Sequence, residues 1–276
     1  MKEIFDYSTN PKTLLNFNQV YKDVKILGSG FFGETHLVIK NNIQYSLKLI
    51  KPNQQNQEQY DREVSALINL TKSCHPSLVC YKDHFIMIKN KQKYYCILTD
   101  YIHGITLEEL LKRQRLTYKN VKAIGLWLLS TISYLHQKNF AHNDISLSNI
   151  MATYDGQLKL IDFGLTCYTA RHTKHLTCLK NRLVNKQYSS PELTSGLYQQ
   201  DVNFYSKTSD NFACGLVIYE LLTRQRPYQQ DRYGRIISAY RHISQPCLDY
   251  VLQHLLLINP QKRSTALQAY QQLQQC

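Results

Sequence analysis

His142-Asn143-Asp144-Ile145-Ser146-Leu147-Ser148-Asn149 is the stretch on which the reading of this chain turns. Its Asp and Asn lie between a helical pattern, Lys119 to Gln137, and two short strand-like pieces, Ile150-Met151 and Leu158 to Ile161, with Asp155-Gly156 as the turn. A carboxylate in such a loop can orient a hydroxyl nucleophile or accept its proton, and an amide oxygen suits a hard cation. Directly after the second strand comes Asp162-Phe163-Gly164. A carboxylate ending a buried strand, followed by glycine, is a good metal ligand.

Upstream, residues 20 to 50 alternate apolar and polar, the pattern of strand, turn, strand, strand. Gly28-Ser29-Gly30-Phe31-Phe32-Gly33 lies at the first turn. Residues without Cβ let backbone N–H groups approach phosphate oxygens. A dinucleotide fingerprint would need a helix next. Glu34 to Ile39 instead continues as strand, which favours a hairpin lid over phosphates. In Tyr45-Ser46-Leu47-Lys48-Leu49-Ile50, a Lys at the centre of an apolar strand calls for an anion, and Glu63 on the next helix is the candidate. A solvated Lys at a strand edge is the plain alternative. Residues 51 to 57 read as a polar linker, the helix after them stops at His75-Pro76, and Phe85 to Ile88 and Tyr94 to Thr99 are further strands.

Helical periods dominate after Leu107: Leu107 to Arg113, Lys119 to Gln137, Asp210 to Leu222, Leu248 to Ile258 and Thr265 to Gln274. A β-rich first hundred residues followed by a helical remainder predicts an α+β, bilobal chain. Its N-lobe spans about residues 1–101 and its C-lobe about 102–276.

Taken in order, these motifs resemble the eukaryotic-type protein kinase family. The match runs G-x-G-x-x-G, strand Lys, helix Glu, H-x-D-x-x-x-x-N, then D-F-G. Ser190-Pro191-Glu192 stands where the family has Ala-Pro-Glu. Ser209 to Gly215 resembles the start of its central C-lobe helix. Asn259-Pro260-Gln261-Lys262-Arg263 resembles the segment whose Arg pairs with the Pro-Glu glutamate. Each motif alone arises by chance, but their order does not.

The resemblance implies a single kinase domain that uses ATP and Mg²⁺ to phosphorylate protein Ser/Thr hydroxyls. It implies that Asp144 orients the acceptor and that Lys48, paired with Glu63, holds the α- and β-phosphates. Asn149 and Asp162 would ligate the metal, and Gly28, Ser29, Gly30 and Gly33 would cover the phosphates. Thr99 falls at the gatekeeper position, with Asp100, Tyr101 and Ile102 as hinge. Thr35, Ser46 and Met151 would border adenine. Leu67, Tyr81, Phe163 and His142 would form a hydrophobic column anchored by Asp210.

Departures from the family pattern carry information too. Asn143 replaces the Arg that binds a phosphorylated activation segment, so activity independent of such phosphorylation is expected, including at Thr166, Thr169, Thr173 or Thr177. Ser146 stands where a Lys contacts the transferring phosphate, and Asn185 where a Thr touches the catalytic Asp. Lys186 or Arg182 is the candidate replacement cation. Ser146 also keeps open a pseudokinase scaffold, and His142-Asn143-Asp144 without a following Lys a small-molecule or lipid kinase.

The chain has 276 residues, and its 33 Lys+Arg against 20 Asp+Glu leave a net charge of +13, which points to a polyanionic partner or merely to solubility. No Asp or Glu lies between Leu165 and Pro191, a stretch holding Arg171, Lys174, Lys180, Arg182 and Lys186. That favours acidic or already phosphorylated protein acceptors, or a phosphoinositide surface. Nucleic-acid motifs are lacking, so a nucleic-acid partner is not expected, and oligomeric state stays open. No signal peptide, membrane span or regulatory domain is evident, and a cytoplasmic protein is expected, in a host cell if the source is bacterial or viral. The eight cysteines show no C-x-x-C pair and sit in apolar stretches, which predicts buried free thiols in a reducing compartment.

Overall fold

The computed structural model describes all residues except 1–13, 31–32, 72–73, 171–177, 179–186, 195–200, 230 and 232–234. It divides into two compact units, Met1–His103 and Gly104–Cys276. Each is a separate answer to the problem of burying apolar faces.

The first unit runs β1 (Leu14–Asn16), α1 (Phe17–Val20), β2 (Lys22–Gly30), β3 (Gly33–Lys40), β4 (Ile43–Ile50), α2 (Gln54–Thr71), β5 (Tyr81–Lys89) and β6 (Gln92–Asp100). These make one six-stranded sheet in the order β1-β5-β6-β4-β3-β2. The hairpins β3–β4 and β5–β6 turn on Asn41-Asn42 and Asn90-Lys91, all four at positive φ, the backbone that matches the twist of a tight hairpin. Alternation along the strands sends Val38, Leu47, Leu49, Phe85, Met87, Cys96 and Leu98 to one core, closed by Phe17 and Tyr21. The short β1 pairs parallel with β5, from Leu14 opposite Ile86 to Asn16 opposite Ile88, a strand the sequence pattern does not announce.

Helix α2 corrects one expectation. Residues 54 to 57, read as linker, form its first turn. Asn53 Oδ1 accepts the Asn56 N–H at 2.8 Å and so starts the helix, and Asn56 then donates from Nδ2 to Lys51 O at 2.7 Å. Gln is a good helix former, so polarity alone misled.

The second unit contains β7 (Gly104–Thr106), α3 (Leu107–Arg113), α4 (Tyr118–Gln137), β8 (Phe140–Ala141), a 3₁₀ turn (Leu147–Asn149), β9 (Ile150–Thr153), β10 (Leu158–Leu160), β11 (Cys167–Tyr168), α5 (Pro191–Thr194), α6 (Val202–Thr223), α7 (Pro246–Leu255) and α8 (Ala266–Gln275). Thr106, Thr117 and Thr265 start α3, α4 and α8 through reciprocal capping boxes with Glu109, Asn120 and Gln268. Helix α6 begins eight residues before the predicted Asp210, capped by Asp201, which accepts the Phe204 N–H at 3.1 Å. From Tyr205 on it is buried nearly all round, polar Ser206, Ser209, Asp210 and Asn211 included, while its first turn leaves Phe204 exposed, so no amphipathic stripe runs through its start. Among the described residues no helix is long and apolar enough to cross a membrane.

The cysteines overturn a prediction. Six of the eight pair as Cys74–Cys80, Cys167–Cys178 and Cys247–Cys276, with Cα–Cα distances of 4.9, 4.9 and 5.5 Å. Only Cys96 and Cys214 are free, both buried, and burial pushes both thiols far up in pKa. Sequence spacing could not reveal pairs that the folded backbone brings together.

Candidate active site

The first unit assembles its candidate residues by strand register. Gly28 lies opposite Thr35 and Gly30 opposite Gly33, so the glycine-rich stretch is the end of the β2–β3 hairpin. Gly33 is sterically obligatory: an added Cβ would sit 2.0 Å from Leu49 O, whereas one on Gly28 would meet nothing within 4 Å. Thr35 is opposite Lys48 and Ser46 opposite Thr99. Cross-strand partners and residues two apart share a face, so Thr35, Ser46, Lys48 and Thr99 line one side of the sheet while Leu47 and Leu49 fill the core on the other.

Lys48 is met by α2. Its Nζ donates to both Glu63 carboxylate oxygens, at 2.9 and 2.8 Å, with the Glu63 side chain 4% exposed and that of Lys48 18%. A charge-assisted pair at this depth answers the cost of placing Lys at mid-strand. Helical spacing also buries Val64, Leu67 and Leu70, which turns Glu63 towards the sheet. At the end of β6, the Asp100 N–H already donates to Cys80 O at 3.0 Å and the Asp100 carboxylate pairs with Lys82 at 3.0 Å. The Asp100 N–H is therefore already engaged within this unit. Ile102 lies just beyond, in the loop that ends this unit.

In the second unit the catalytic-loop candidates stand on α6. Asp210 accepts the Asn143 N–H on Oδ1 at 2.7 Å and the His142 N–H on Oδ2 at 2.8 Å, and contacts His136 Nε2 at 3.0 Å. His142 meets the Phe163 ring edge-on, centroids 5.2 Å apart, and its Nδ1 accepts the Asp144 N–H at 3.3 Å. Asn149 donates from Nδ2 to the Asp144 backbone carbonyl at 2.8 Å and to Asp144 Oδ2 at 2.9 Å. That commits the amide nitrogen, so a cation here would meet the amide oxygen.

Asp162 follows β10 with φ 59, exposed, its Oδ1 accepting the Gly164 N–H at 3.1 Å. The Ile161 N–H donates to Asn149 O at 2.9 Å, which ties the loops carrying Asn149 and Asp162 together. One carboxylate and one amide oxygen are the donor chemistry of a magnesium that takes its remaining ligands from phosphates and water. Among the described residues no group of three or more His, Cys, Asp or Glu is placed to hold a metal by itself. Met151 lies on β9 opposite Lys159 and Thr106.

Ser146 is 1% exposed and bonds Ser148 across 2.9 Å between hydroxyls, so it carries no cation to the site. Asn185, Lys186 and Arg182 lie outside the described residues, as do Thr173, Thr177 and all of residues 171–186 apart from Cys178. Thr166 and Thr169 are buried, with hydroxyls donating to His142 O at 3.4 Å and Asn139 O at 3.1 Å.

Glu192 and Arg263 are fully buried and joined at 2.5 and 2.9 Å, with the Thr208 hydroxyl donating to the same carboxylate. Sequence reading missed Thr208, His136 and Tyr188. The Tyr188 hydroxyl donates to Glu220 at 2.8 Å beneath the Arg226 guanidinium; burial first, and the Glu220 charge second, push its phenol well up in pKa. None of the three carried a spacing signal.

The model of the protein kinase domain family matches residues 21–273. The chain is 28% identical over 255 residues to serine/threonine-protein kinase 36 of Pongo abelii, covering 88% of this chain and 18% of that protein. It is 28% identical over 222 residues to calcium-dependent protein kinase 4 of Plasmodium falciparum, covering 77% and 39%. A probable serine/threonine-protein kinase, mkcF of Dictyostelium discoideum, is 28% identical over 253 residues, covering 88% and 35%. The chain thus spans less than two-fifths of the length of these relatives. With the family model spanning nearly the whole chain, from the first long strand to the last helix, this chain belongs to the protein kinase domain family.

Proposed function

We propose that the chain is an ATP- and Mg²⁺-dependent protein kinase, one domain over 1–276, that phosphorylates Ser/Thr hydroxyls. The observation that carries this is the retention of Lys48, Glu63, Asp144, Asn149 and Asp162 in supporting geometry: Lys48 on Glu63, and Asn149 on Asp144. Asn149 and Asp162 would hold the magnesium, which supplies charge neutralisation on the phosphates. Lys48, held by Glu63, binds and orients phosphate; Asp144, fixed by Asn149, orients the acceptor hydroxyl and receives its proton. Relatives named as serine/threonine kinases support that acceptor class. Lys48→Met and Asp144→Asn, assayed for transfer from Mg-ATP to protein, test the reading.

Activity without activation-segment phosphate is part of the proposal. Asn143 Nδ2 donates to Leu165 O at 3.2 Å and to Cys167 Sγ at 2.9 Å, uncharged contacts that need no phosphate. Acidic acceptors are proposed on the acid-free stretch between Leu165 and Pro191, with Lys186 as the replacement cation. Cytoplasmic residence, where ATP is plentiful, belongs to the same reading.

Buried Ser146 favours a second reading, a nucleotide-binding scaffold. Nucleotide-induced stabilisation without transfer would support it.

A further inference from the structure

On the core side of the first unit's sheet, each ring nitrogen of His36 faces a carboxylate. Nδ1 lies 3.0 Å from Asp23 Oδ1 on β2, and Nε2 lies 3.3 Å from Glu34 Oε2 on its own strand, β3. An ionised carboxylate only accepts hydrogen bonds, and a neutral imidazole has a single N–H to give. The charged ring alone satisfies both contacts. A neutral ring sets an unprotonated nitrogen against a carboxylate, lone pair to lone pair.

Of the two partners, Asp23 is the fixed one. Its other oxygen takes Lys89 Nζ from β5 at 2.7 Å, and that ammonium lies 4.4 Å from the centre of the Phe17 ring. Burial alone would raise the Asp23 carboxyl pKa, but hydrogen bonds from Lys89 and His36 hold it below its ordinary value. The Glu34 side chain is 55% exposed, against 4% for His36, so it can turn to solvent when the ring is neutral. A cavity of about 510 Å³ opens beside the ring and gives it proton exchange with solvent. The titratable groups lining it are Asp23 and Lys25 of β2, Glu34 of β3, Lys89 of β5 and Tyr94 of β6, while β4 brings apolar Leu49. The cluster bears on the glycine-rich hairpin. Glu34 follows Gly33, lies opposite Ser29 and precedes Thr35, which is opposite Lys48.

We propose that His36 is a proton-sensing residue that sets how firmly the glycine-rich hairpin is held over the nucleotide phosphates. Charged, it bridges Asp23 and Glu34 and fixes the end of the hairpin. On deprotonation one proton passes from Nε2 to solvent, the ring keeps Asp23 through Nδ1–H, and Glu34 is released. The bridge is thus present at the acid end and is lost as pH rises through the titration of the ring. Nucleotide affinity falls in the same direction.

The inference rests on the ATP-binding reading for its affinity arm only. The full chain is titrated from about pH 5.5 to about pH 8.5, the range in which imidazole changes charge. Nitrogen-15 NMR of the histidine rings follows protonation, with His36 identified by the signal absent from His36→Gln. Amide hydrogen exchange of Ser29 and Glu34 follows the hairpin, and Mg-ATP binding follows affinity. Both His36 nitrogens should carry protons at the acid end, and Nδ1 alone at the alkaline end. Glu34→Gln is the reference, because its amide can donate to the neutral Nε2 and ATP titrates alike in both proteins. Relative to it, the wild-type Mg-ATP dissociation constant and hairpin exchange rate should each rise about threefold over that step. His36→Gln should show no such rise. A ring whose protonation does not change over the range overturns the proposal. So do ratios that stay flat while the ring titrates, or a rise that survives in His36→Gln. If wild type binds no nucleotide at any pH, the ATP reading fails, and ring titration with hairpin exchange still decides this site.

Discussion

Asp210, on α6, holds Asn143 by its backbone: the Asn143 N–H donates to Asp210 Oδ1 at 2.7 Å. The other carboxylate oxygen takes the His142 N–H at 2.8 Å and contacts His136. The residue before Asp144 is therefore positioned by a buried anion on a different element. Asp210→Ala strips these donors of their acceptor inside the protein, at about 1–3 kcal/mol for each one left unsatisfied. Urea unfolding should register that loss, and transfer activity should fall with it. Unchanged stability would contradict the anchoring role.

Lys48 and Glu63 make the corresponding prediction for the first unit. Removing one preorganised cation from phosphate costs about 100-fold or more in turnover, so Lys48→Met should lose at least that. Glu63→Gln keeps the shape, weakens the orientation of Lys48, and should cost about tenfold. Steady-state transfer assays on both variants decide it. Full activity in Lys48→Met would show that another cation serves the phosphates.

Arg263 and Glu192 are a stability prediction. Both side chains are fully buried, and the guanidinium also donates to Thr208 O and Leu257 O. Breaking such a pair from one side costs about 3–5 kcal/mol. Arg263→Ala should lower the urea midpoint accordingly, and Arg263→Lys should recover only part, because an ammonium cannot make the two-pronged contact. Equal midpoints for wild type and Arg263→Ala would refute this.

Asp249 gives a pH dependence. Burial alone would raise its carboxyl pKa, but hydrogen bonds from His242, the Ile243 N–H, Tyr240 and Gln253 outweigh that and hold it below the ordinary value. A carboxyl made more acidic by folding stabilises the fold above its unfolded pKa, and that contribution drains away as pH falls through the folded one. Stability due to Asp249 is thus complete above about pH 5 and is lost on acidification below about pH 4. Asp249→Asn should flatten this part of the profile. Parallel wild-type and variant curves between neutral pH and pH 3 would count against it.

What the sequence made legible, and what it hid, follows from where each signal resides. Lys48, Glu63, Asp144, Asn149 and Asp162 stand out because their polarity conflicts with apolar surroundings or lies at fixed loop offsets. Strand alternation was readable because one sheet face packs a core. The first turn of α2 was hidden by Gln and Asn, whose helicity depends on the Asn53 cap. The start of α6 was hidden because its first turn leaves Phe204 exposed and the helix beyond it is buried on nearly every side, so no apolar stripe marks it. The cysteine pairs were hidden because closeness in space, not in sequence, makes them. Sequence alone placed Ser146 at a cation's position, but not in a buried hydroxyl contact.

Phosphate transfer from Mg-ATP to a protein acceptor, wild type against Asp144→Asn, tests the central claim most directly. The account predicts phosphoserine and phosphothreonine with wild type, and a loss of about 100-fold or more in the variant, whose amide cannot take the proton. Nucleotide binding by wild type with no transfer, or equal transfer by the two proteins, would contradict it.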